Sequence, residues 1–290
     1  MTETICFHHN DPDGCASGAI VRHALGKDIP LIESDYDKTL IPWERVEKAK
    51  RVIVTDFSFP KEDMLRLADG RELVWIDHHK SAMLEFEEIG KDWKGIRDIS
   101  EAGCVLTWKY FFPNKSTPKA IVLIGDRDIW RWAEKDTGAF NESLYNQDHH
   151  AENDALWVPL LENDETALMQ MIKEGEWLRR INLGNVERLM GGRSFEVRFE
   201  RCKTLAINAS GNGDIGNYGR ERGYEIVYCY MDEMQPDGLS TVVTLFSNKV
   251  DVSEIAKKYG GGGHAGAAGF SFPRGTTPFP PGSEVHWISE

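Results

Sequence analysis

The chain has 290 residues, of which 41% are hydrophobic and 28% are charged, and its formal net charge at pH 7 is −13. This length and composition allow one large domain or two ordinary domains, each with its own core, and exclude a chain dominated by disorder. The negative charge disfavours the broad basic surface of a protein that coats long nucleic acid, so an anionic substrate would be short or bound locally.

The beginning of the chain and its cysteines indicate where the protein works. The first residues lack the basic stretch and the small-residue cleavage site of a secretion signal. The five cysteines have no paired spacing, and their odd number argues against a disulfide framework. No apolar segment reaches the roughly 20 residues that a membrane helix needs. We therefore expect a cytoplasmic protein with no membrane partner.

Short apolar runs alternate with amphipathic helical patterns in the first half of the chain. The runs predict strands at residues 5–8, 30–34, 52–55 and 72–76. This alternation predicts an α/β fold in which a parallel sheet carries helices on both faces. Ligands of such sheets gather at the carboxyl ends of the strands, so the polar residues that follow each run are the first candidates for a site.

The second half of the chain predicts a connecting helix and a separate domain. From about residue 100 the periodicity is helical, and residues 164–190 form one long amphipathic pattern. Strands are then predicted at residues 194–199, 204–209, 224–231 and 239–247, and a helix at 252–259. The predicted organisation is an N-terminal domain over residues 1–165, a helical linker over 166–192 and a smaller α/β domain over 193–290.

Acidic residues and histidines follow the apolar runs. They are His9, Asp11 and Asp13 after the first run, Asp56 after the third, Asp77, His78 and His79 after the fourth, and Asp126 and Asp128 after a further run at 122–125. Ends of neighbouring parallel strands lie side by side, which predicts one cluster. Carboxylates mixed with imidazoles suit Mn²⁺, whereas structural zinc sites more often recruit thiolates. There are more ligands than one ion needs, which predicts two ions that share a carboxylate.

These residues, in this order, resemble the four successive motifs of the DHH phosphoesterases. Near the C-terminus, the glycine run 260–263 and His264 resemble the DHH-associated C-terminal domain of oligoribonucleases, nanoRNases and RecJ-like exonucleases. The resemblance covers nearly the whole chain. It implies a metal-binding catalytic domain over 1–165, a substrate-binding domain over 193–290, and two divalent metal ions, Mn²⁺ with Mg²⁺ or Co²⁺ as alternatives.

The resemblance also implies a role for each residue. The implied ligands of one ion are His9, Asp11 and Asp56, and those of the other are Asp13, Asp56, His78 and Asp126. The implied catalytic residues are Asp56, His78, His79 and Asp126. The implied substrate contacts are His79, Arg127, Gly261, Gly262, Gly263 and His264. Asp77 and Asp128 would orient these residues from outside the ligand set.

Three features leave alternatives open. Asp11 could be only the cap of the following helix. Phe246 stands where relatives often carry a basic residue, and it could instead stack on a base. A second triplet, Asp148, His149 and His150, follows a polar helical stretch, and we interpret it as a solvated helix end rather than a ligand cluster.

The leading functional hypothesis is a metal-dependent phosphodiesterase, of the exonuclease or oligoribonuclease type. It would hydrolyse short single-stranded RNA or DNA, or a dinucleotide, to mononucleotides. One alternative is a phosphomonoesterase acting on a nucleoside bisphosphate, or an exopolyphosphatase. A second alternative is a nucleotide-binding protein that has lost catalysis. The resemblance also makes a homodimer an expectation.

Overall fold

The computed structural model describes residues 4–36, 40–236 and 238–287, and the chain forms two compact units, residues 1–179 and 180–290. The strands of the first unit are β1 (Thr4–His9), β2 (Leu31–Ser34), β3 (Arg51–Thr55) and β4 (Glu72–Ile76). They form a parallel sheet in the order β2-β1-β3-β4. The predicted α/β class is confirmed.

Helices cover both faces of this sheet, as predicted. The helices up to residue 193 are α1 (Pro12–Leu25), α2 (Trp43–Val46), α3 (Lys61–Ala68), α4 (Lys80–Glu85), α5 (Gly103–Phe111), α6 (Lys119–Asp128), α7 (Thr137–Tyr145), α8 (Asp154–Leu161) and α9 (Glu165–Arg193). Successive strand residues point to opposite faces. Ile5 and Phe7 therefore pack with α2, α3 and α4, whereas Cys6 and Ile53 pack with α1 and α5.

The apolar run at residues 122–125 lies inside a helix, not at the end of a strand. It belongs to α6, whose Ile121, Leu123 and Ile124 are buried in a core shared with α1, α5, α7 and α8. The sequence did not separate these cases because a short apolar run fits a buried helix as well as a buried strand. Asp126 and Asp128 therefore end a helix.

The second unit contains a seven-stranded mixed sheet. Its elements are β5 (Ser194–Phe199), β6 (Cys202–Asn208), α10 (Gly213–Glu221), β7 (Ile226–Gln235), β8 (Gly238–Phe246), α11 (Val252–Lys258), β9 (Gly262–His264), β10 (Ala267–Pro273) and β11 (Val285–Trp287). The strand order is β11-β5-β6-β7-β8-β10-β9, and only β6 and β7 are parallel neighbours among the described strands. Helix α11 packs on one face, and α10 with the last turns of α9 on the other. The sequence did not predict α10, β9 or β10.

Phe246 is a core residue of the second unit. Its side chain is only 6% exposed, among Val186, Ile207 and Ile215. A Cβ atom on Gly216 would lie 2.8 Å from the Phe246 ring, so α10 packs directly on it. The interpretation of Phe246 as a stacking surface for a base is therefore wrong, because its ring is already covered by protein.

No helix in the described parts of the chain combines the length and the apolar character that crossing a membrane requires.

Candidate metal centre

Three neighbouring parallel strands deliver acidic residues and histidines to one edge of the first sheet. β1 ends at His9, Asp56 directly follows β3, and His78 stands two residues beyond β4. β3 pairs with both β1 and β4 in parallel register, so their carboxyl ends adjoin. Asp11 and Asp13 stand at the start of α1, immediately after β1. The parallel pairing of these strands thus brings together motifs that are far apart in sequence.

The side chains form three groups that are compact enough to hold an ion. The groups are His9, Asp11 and Asp56; Asp56, His78 and His79; and Asp13, His78 and Asp128. Within each group, one ligand atom per residue lies within 4.8 Å of the others. Asp56 and His78 each belong to two groups, so the groups form one continuous cluster. Of the six residues that the sequence predicts as ligands, Asp126 alone is absent from it.

Asp56 is the centre of the cluster. It is 1% exposed and has a left-handed backbone with φ 56°, which is strained for any residue but glycine. His78 Nε2 lies 3.2 Å from Asp56 Oδ1, but neither carboxylate oxygen receives a hydrogen bond from the described residues. Burial, together with the neighbouring Asp13 and Asp11 charges, raises the pKa of Asp56 well above its ordinary value. A buried carboxylate without donors is costly unless a cation neutralises it, so this environment fits a metal ion.

The N-terminus of α5 holds Asp13 in place. The backbone N–H of Gly103 donates to Asp13 Oδ2 at 2.7 Å, and that of Cys104 donates to Oδ1 at 2.9 Å. Free N–H groups at a helix start are donors for a carboxylate, so the start of α5 fixes the orientation of this buried side chain. Gly103 and Cys104 are not recognisable from the sequence, because a backbone donor leaves no side-chain motif.

Gly103 also leaves room for Asp56, which makes it a sharp test of the cluster. A Cβ atom at Gly103 would lie 2.5 Å from Asp56 Oδ1. We expect Gly103→Ala to displace that carboxylate, to weaken Mn²⁺ binding at least about tenfold, and to cost about 1–3 kcal/mol of stability through overpacking. Titration calorimetry and urea unfolding measure the two effects.

Gly184 provides the matched control for this substitution. It lies within α9, and apart from the backbone of that helix and the neighbouring residues no atom of the described residues comes within 4 Å of a Cβ built there. Gly184→Ala should leave Mn²⁺ affinity unchanged and stabilise the helix by about 0.5–1 kcal/mol. Equal Mn²⁺ affinities for the two variants would show that Gly103 does not shape the cluster.

Asp11 caps α1 and faces the cluster at the same time. Its Oδ1 accepts from the Gly14 N–H at 2.8 Å, while its Oδ2 lies 3.1 Å from His9 Nδ1. Burial alone would raise the pKa of Asp11, but its interactions with His9 and the Gly14 N–H outweigh burial, and the pKa is lowered. The helix-cap interpretation is therefore correct for one oxygen, and the second oxygen remains part of the ligand group.

Asp77 orients both histidines that follow it. Its Oδ1 accepts from the backbone N–H of His78 at 2.7 Å and of His79 at 3.1 Å, and it lies 2.7 Å from His79 Nδ1. Its Oδ2 accepts from Trp75 Nε1 at 3.2 Å. Burial lowers the pKa of His78, which favours the neutral imidazole that binds metals. Burial would also lower the pKa of His79, but the hydrogen bond to Asp77 and the charge of that carboxylate outweigh burial, and the pKa of His79 is raised.

The sequence predicts Asp126 as a metal ligand and Asp128 as a residue outside the ligand set, but in the structure Asp128 lies in the cluster and Asp126 lies outside it. Asp128 Oδ2 lies 3.5 Å from His78 Nε2, inside the cluster. The Asp126 carboxylate instead accepts from the N–H groups of Ala133 at 2.9 Å and Glu134 at 3.1 Å, and from the Thr137 hydroxyl. Residues two apart on a helix do not share a face, so only one of these carboxylates can enter the cluster.

Asp126 organises the turn that follows α6. Besides its carboxylate contacts, its carbonyl accepts from the N–H groups of Arg131 at 2.9 Å and Trp132 at 3.3 Å. Burial would raise the pKa of Asp126, but the hydrogen bonds from Thr137 and the backbone lower it. The turn includes two left-handed tryptophans, Trp130 at φ 58° and Trp132 at φ 54°. Such strained residues persist only where surrounding contacts impose them, and Asp126 supplies several.

Arg127 lies beside Asp128 and against α7. Its Nη1 donates to the Tyr145 hydroxyl at 2.6 Å, and its guanidinium carbon lies 4.3 Å from the centre of that ring. This contact holds a cation next to the acidic cluster while leaving the side chain partly exposed. Arg127 is therefore placed where an anionic substrate could reach it.

The second histidine triplet lies outside the cluster. His149 Nδ1 lies 3.0 Å from the carbonyl oxygen of Gln147, and the exposed His150 pairs with Glu33 at 2.8 Å. No compact ligand group found among the described residues includes either histidine. The triplet after a buried strand and the triplet after a polar helix thus have different environments, in agreement with their sequence contexts.

The glycine run forms an edge strand of the second unit. In β9, Gly262 pairs with Gly269 and Gly263 with Ala268 of β10. A Cβ at Gly261 would lie 2.0 Å from the Gly269 oxygen, and Gly263 has φ 137°, so both glycines are required by the backbone itself. Gly262, Gly263 and His264 are exposed. The predicted phosphate contact of this segment stays a prediction.

The chain is similar in sequence to known proteins. No protein-family model matches the chain. Uncharacterized protein R106 of Acanthamoeba polyphaga mimivirus is 31% identical over 244 residues, which covers 79% of this chain and 55% of that protein. The chain thus spans little more than half the length of that relative. Oligoribonuclease NrnB of Bacillus subtilis is 23% identical over 297 residues, which covers 91% of this chain and 72% of NrnB.

Solved structures identify the fold. The DHH domain of a member of the s1p family of ribosomal proteins superposes with a TM-score of 0.58 at 15% identity, covering 92% of this chain and 82% of that one. The pGpG-specific phosphodiesterase PggH from Vibrio cholerae gives 0.54 at 14% identity, with 94% of each chain covered. The fold is therefore that of the DHH-domain proteins. The resemblance to the DHH family that the motifs predict is confirmed.

Proposed function

We propose that this protein is a metal-dependent phosphoesterase that hydrolyses the phosphodiester bond of short oligonucleotides or dinucleotides to mononucleotides. The observation that carries the proposal is the Asp56 carboxylate, which is buried, lacks hydrogen-bond donors among the described residues and is shared by two ligand groups. The names of two similar proteins, an oligoribonuclease and a pGpG-specific phosphodiesterase, support a short nucleotide substrate.

The cluster supports a revised ligand assignment. His9, Asp11 and Asp56 would hold one divalent ion, and Asp13, Asp56, His78 and Asp128 the other, with Asp56 common to both. Oxygen and imidazole donors without thiolates suit Mn²⁺, and Mg²⁺ or Co²⁺ are the alternatives. When bound, such a pair of ions supplies Lewis acidity, lowers the pKa of a water molecule and offsets charge on the phosphoryl oxygens.

The remaining residues of the site position the substrate. Because Asp77 accepts at His79 Nδ1, the His79 Nε2 atom is left to contact a phosphate or the leaving oxygen. Arg127 offers a guanidinium to a second phosphoryl oxygen, held by Tyr145. Within the second unit, and as a separate proposal, the exposed Gly262, Gly263 and His264 would contact a phosphate through backbone and imidazole donors. These roles require only local contacts with a short anion, which agrees with the acidic chain.

A panel of substrates tests this function against its alternatives. Dinucleotides to pentanucleotides of RNA and DNA, pGpG and cyclic dinucleotides, a nucleoside 3′,5′-bisphosphate and polyphosphate are incubated with Mn²⁺ or with chelator. We expect release of mononucleotides from the shortest oligonucleotides, with at least about a hundredfold loss on chelation. Turnover of only the bisphosphate or of polyphosphate would replace the proposal with a phosphomonoesterase or an exopolyphosphatase. Nucleotide binding without turnover would indicate a nucleotide-binding protein that has lost catalysis.

A further inference from the structure

A half-exposed tyrosine borders the metal centre. Tyr36 stands two residues beyond β2, at the same end of the sheet as the cluster. Its ring centre lies 4.8 Å from that of Phe57, 5.3 Å from that of His9 and 6.1 Å from that of His79. The residue is nevertheless 48% exposed. One side of the ring is therefore fixed against protein while a large part of it remains open.

The ring contacts connect Tyr36 to two of the ligand groups. His9 belongs to the group with Asp11 and Asp56, and His79 to the group with Asp56 and His78. A phosphoryl group bound between these groups would lie within one nucleotide's length of the Tyr36 ring. The attached base would then meet an aromatic surface next to the reacting phosphate.

The support behind Tyr36 is rigid. Phe57 is 1% exposed, and its ring packs edge-on against the buried Phe59 at 4.9 Å and parallel to His9 at 5.9 Å. A ring held by buried aromatic neighbours loses little freedom when a base stacks on it. Base-on-aromatic stacking also tolerates any base, since every base has a π-face.

We propose that Tyr36 is the stacking platform for the nucleobase next to the scissile phosphate. The inference rests on the proposed function and deepens it, because it makes the substrate a phosphodiester that carries a base. It disfavours inorganic polyphosphate, which has no group to place on this ring. Tyr36 acts by positioning the substrate and not by transferring a proton.

The test compares Tyr36→Ala with Tyr36→Phe on matched substrates. With a dinucleotide, Tyr36→Ala should raise KM about tenfold or more and change kcat little, whereas Tyr36→Phe should resemble the wild type. With the same dinucleotide made abasic at the residue next to the scissile phosphate, all three proteins should have similar KM values. An equal loss on both substrates, or a loss in Tyr36→Phe as large as in Tyr36→Ala, would overturn the proposal.

A binding measurement separates this inference from the proposed function. A dinucleotide that contains 2-aminopurine next to the phosphate is titrated into each protein with Mg²⁺, and its fluorescence is recorded. Stacking on Tyr36 should quench the signal in the wild type and in Tyr36→Phe, but not in Tyr36→Ala. Quenching without hydrolysis of any substrate would contradict the proposed function but would still support Tyr36 as a stacking platform. Identical signals from all three proteins would remove the platform.

Discussion

Replacing Asp56 by asparagine should abolish hydrolysis and the binding of both divalent ions, while making the metal-free protein more stable. Asp56 is common to the two proposed ligand sets, so one substitution weakens both. We expect activity to fall about a thousandfold or more. The amide keeps the shape of the side chain but removes a buried charge that no described donor satisfies. In chelator, the variant should therefore gain about 0.5–2 kcal/mol in free energy of unfolding.

The gain in stability should depend on pH in a defined direction. Burial raises the pKa of Asp56 in the folded protein above its unfolded value. Its protonated form is therefore compatible with folding at acid pH, and stability is lost as the pH rises through the raised pKa. The advantage of Asp56→Asn should be small below the ordinary carboxyl range and complete above the raised pKa.

Urea unfolding in chelator at several pH values, with calorimetric titration of Mn²⁺, measures these effects. The exposed Asp69 is the matched control, since Asp69→Asn removes the same charge far from any compact ligand group. It should change neither stability nor metal binding by a measurable amount. An Asp56→Asn protein that still binds two ions with wild-type affinity would contradict the assignment of Asp56 as the shared ligand.

Asparagine substitutions of Asp126 and Asp128 should have opposite consequences. Asp128→Asn should weaken the binding of one ion at least about a hundredfold, with little loss of stability, because its carboxylate lies within the cluster. Asp126→Asn should cost about 1–3 kcal/mol of stability, because an amide cannot accept all the hydrogen bonds from Ala133, Glu134 and Thr137. Any loss of metal affinity in Asp126→Asn would follow indirectly, through the displaced turn.

The pH dependence distinguishes these two variants further. The pKa of Asp126 is lowered in the folded protein, so its contribution to stability is present above the unfolded pKa and is lost as the pH falls through the folded pKa. The deficit of Asp126→Asn should therefore shrink in acid. Burial raises the pKa of Asp128 instead, which predicts no such deficit for Asp128→Asn. If Asp126→Asn lost one metal ion at full stability while Asp128→Asn kept both metal ions, Asp126 would be the ligand, as the sequence predicts.

The periodicity and the motif order of the sequence were sufficient to predict the parallel sheet and most of the cluster. Strands β1, β3 and β4 are runs of alternately packed apolar residues, and such runs have few other stable arrangements. Polar residues directly beyond them necessarily meet at one sheet edge. His9, Asp11, Asp13, Asp56 and His78 were therefore predictable as neighbours from their positions relative to the strands.

Three features of the site could be seen only in the tertiary structure, because they depend on the rotation of a helix, on backbone donors and on packing between residues that are distant in sequence. Asp126 and Asp128 are equivalent in sequence, and the rotation of α6 alone determines which carboxylate faces His78. Gly103 and Cys104 hold Asp13 through peptide N–H groups, which every residue except proline possesses. Phe246 and Tyr36 are both aromatic, yet one is enclosed by α10 and the other is open beside the cluster. Sequence pattern records which residues alternate along the chain, whereas the accessibility of a side chain is set by elements that are distant in sequence.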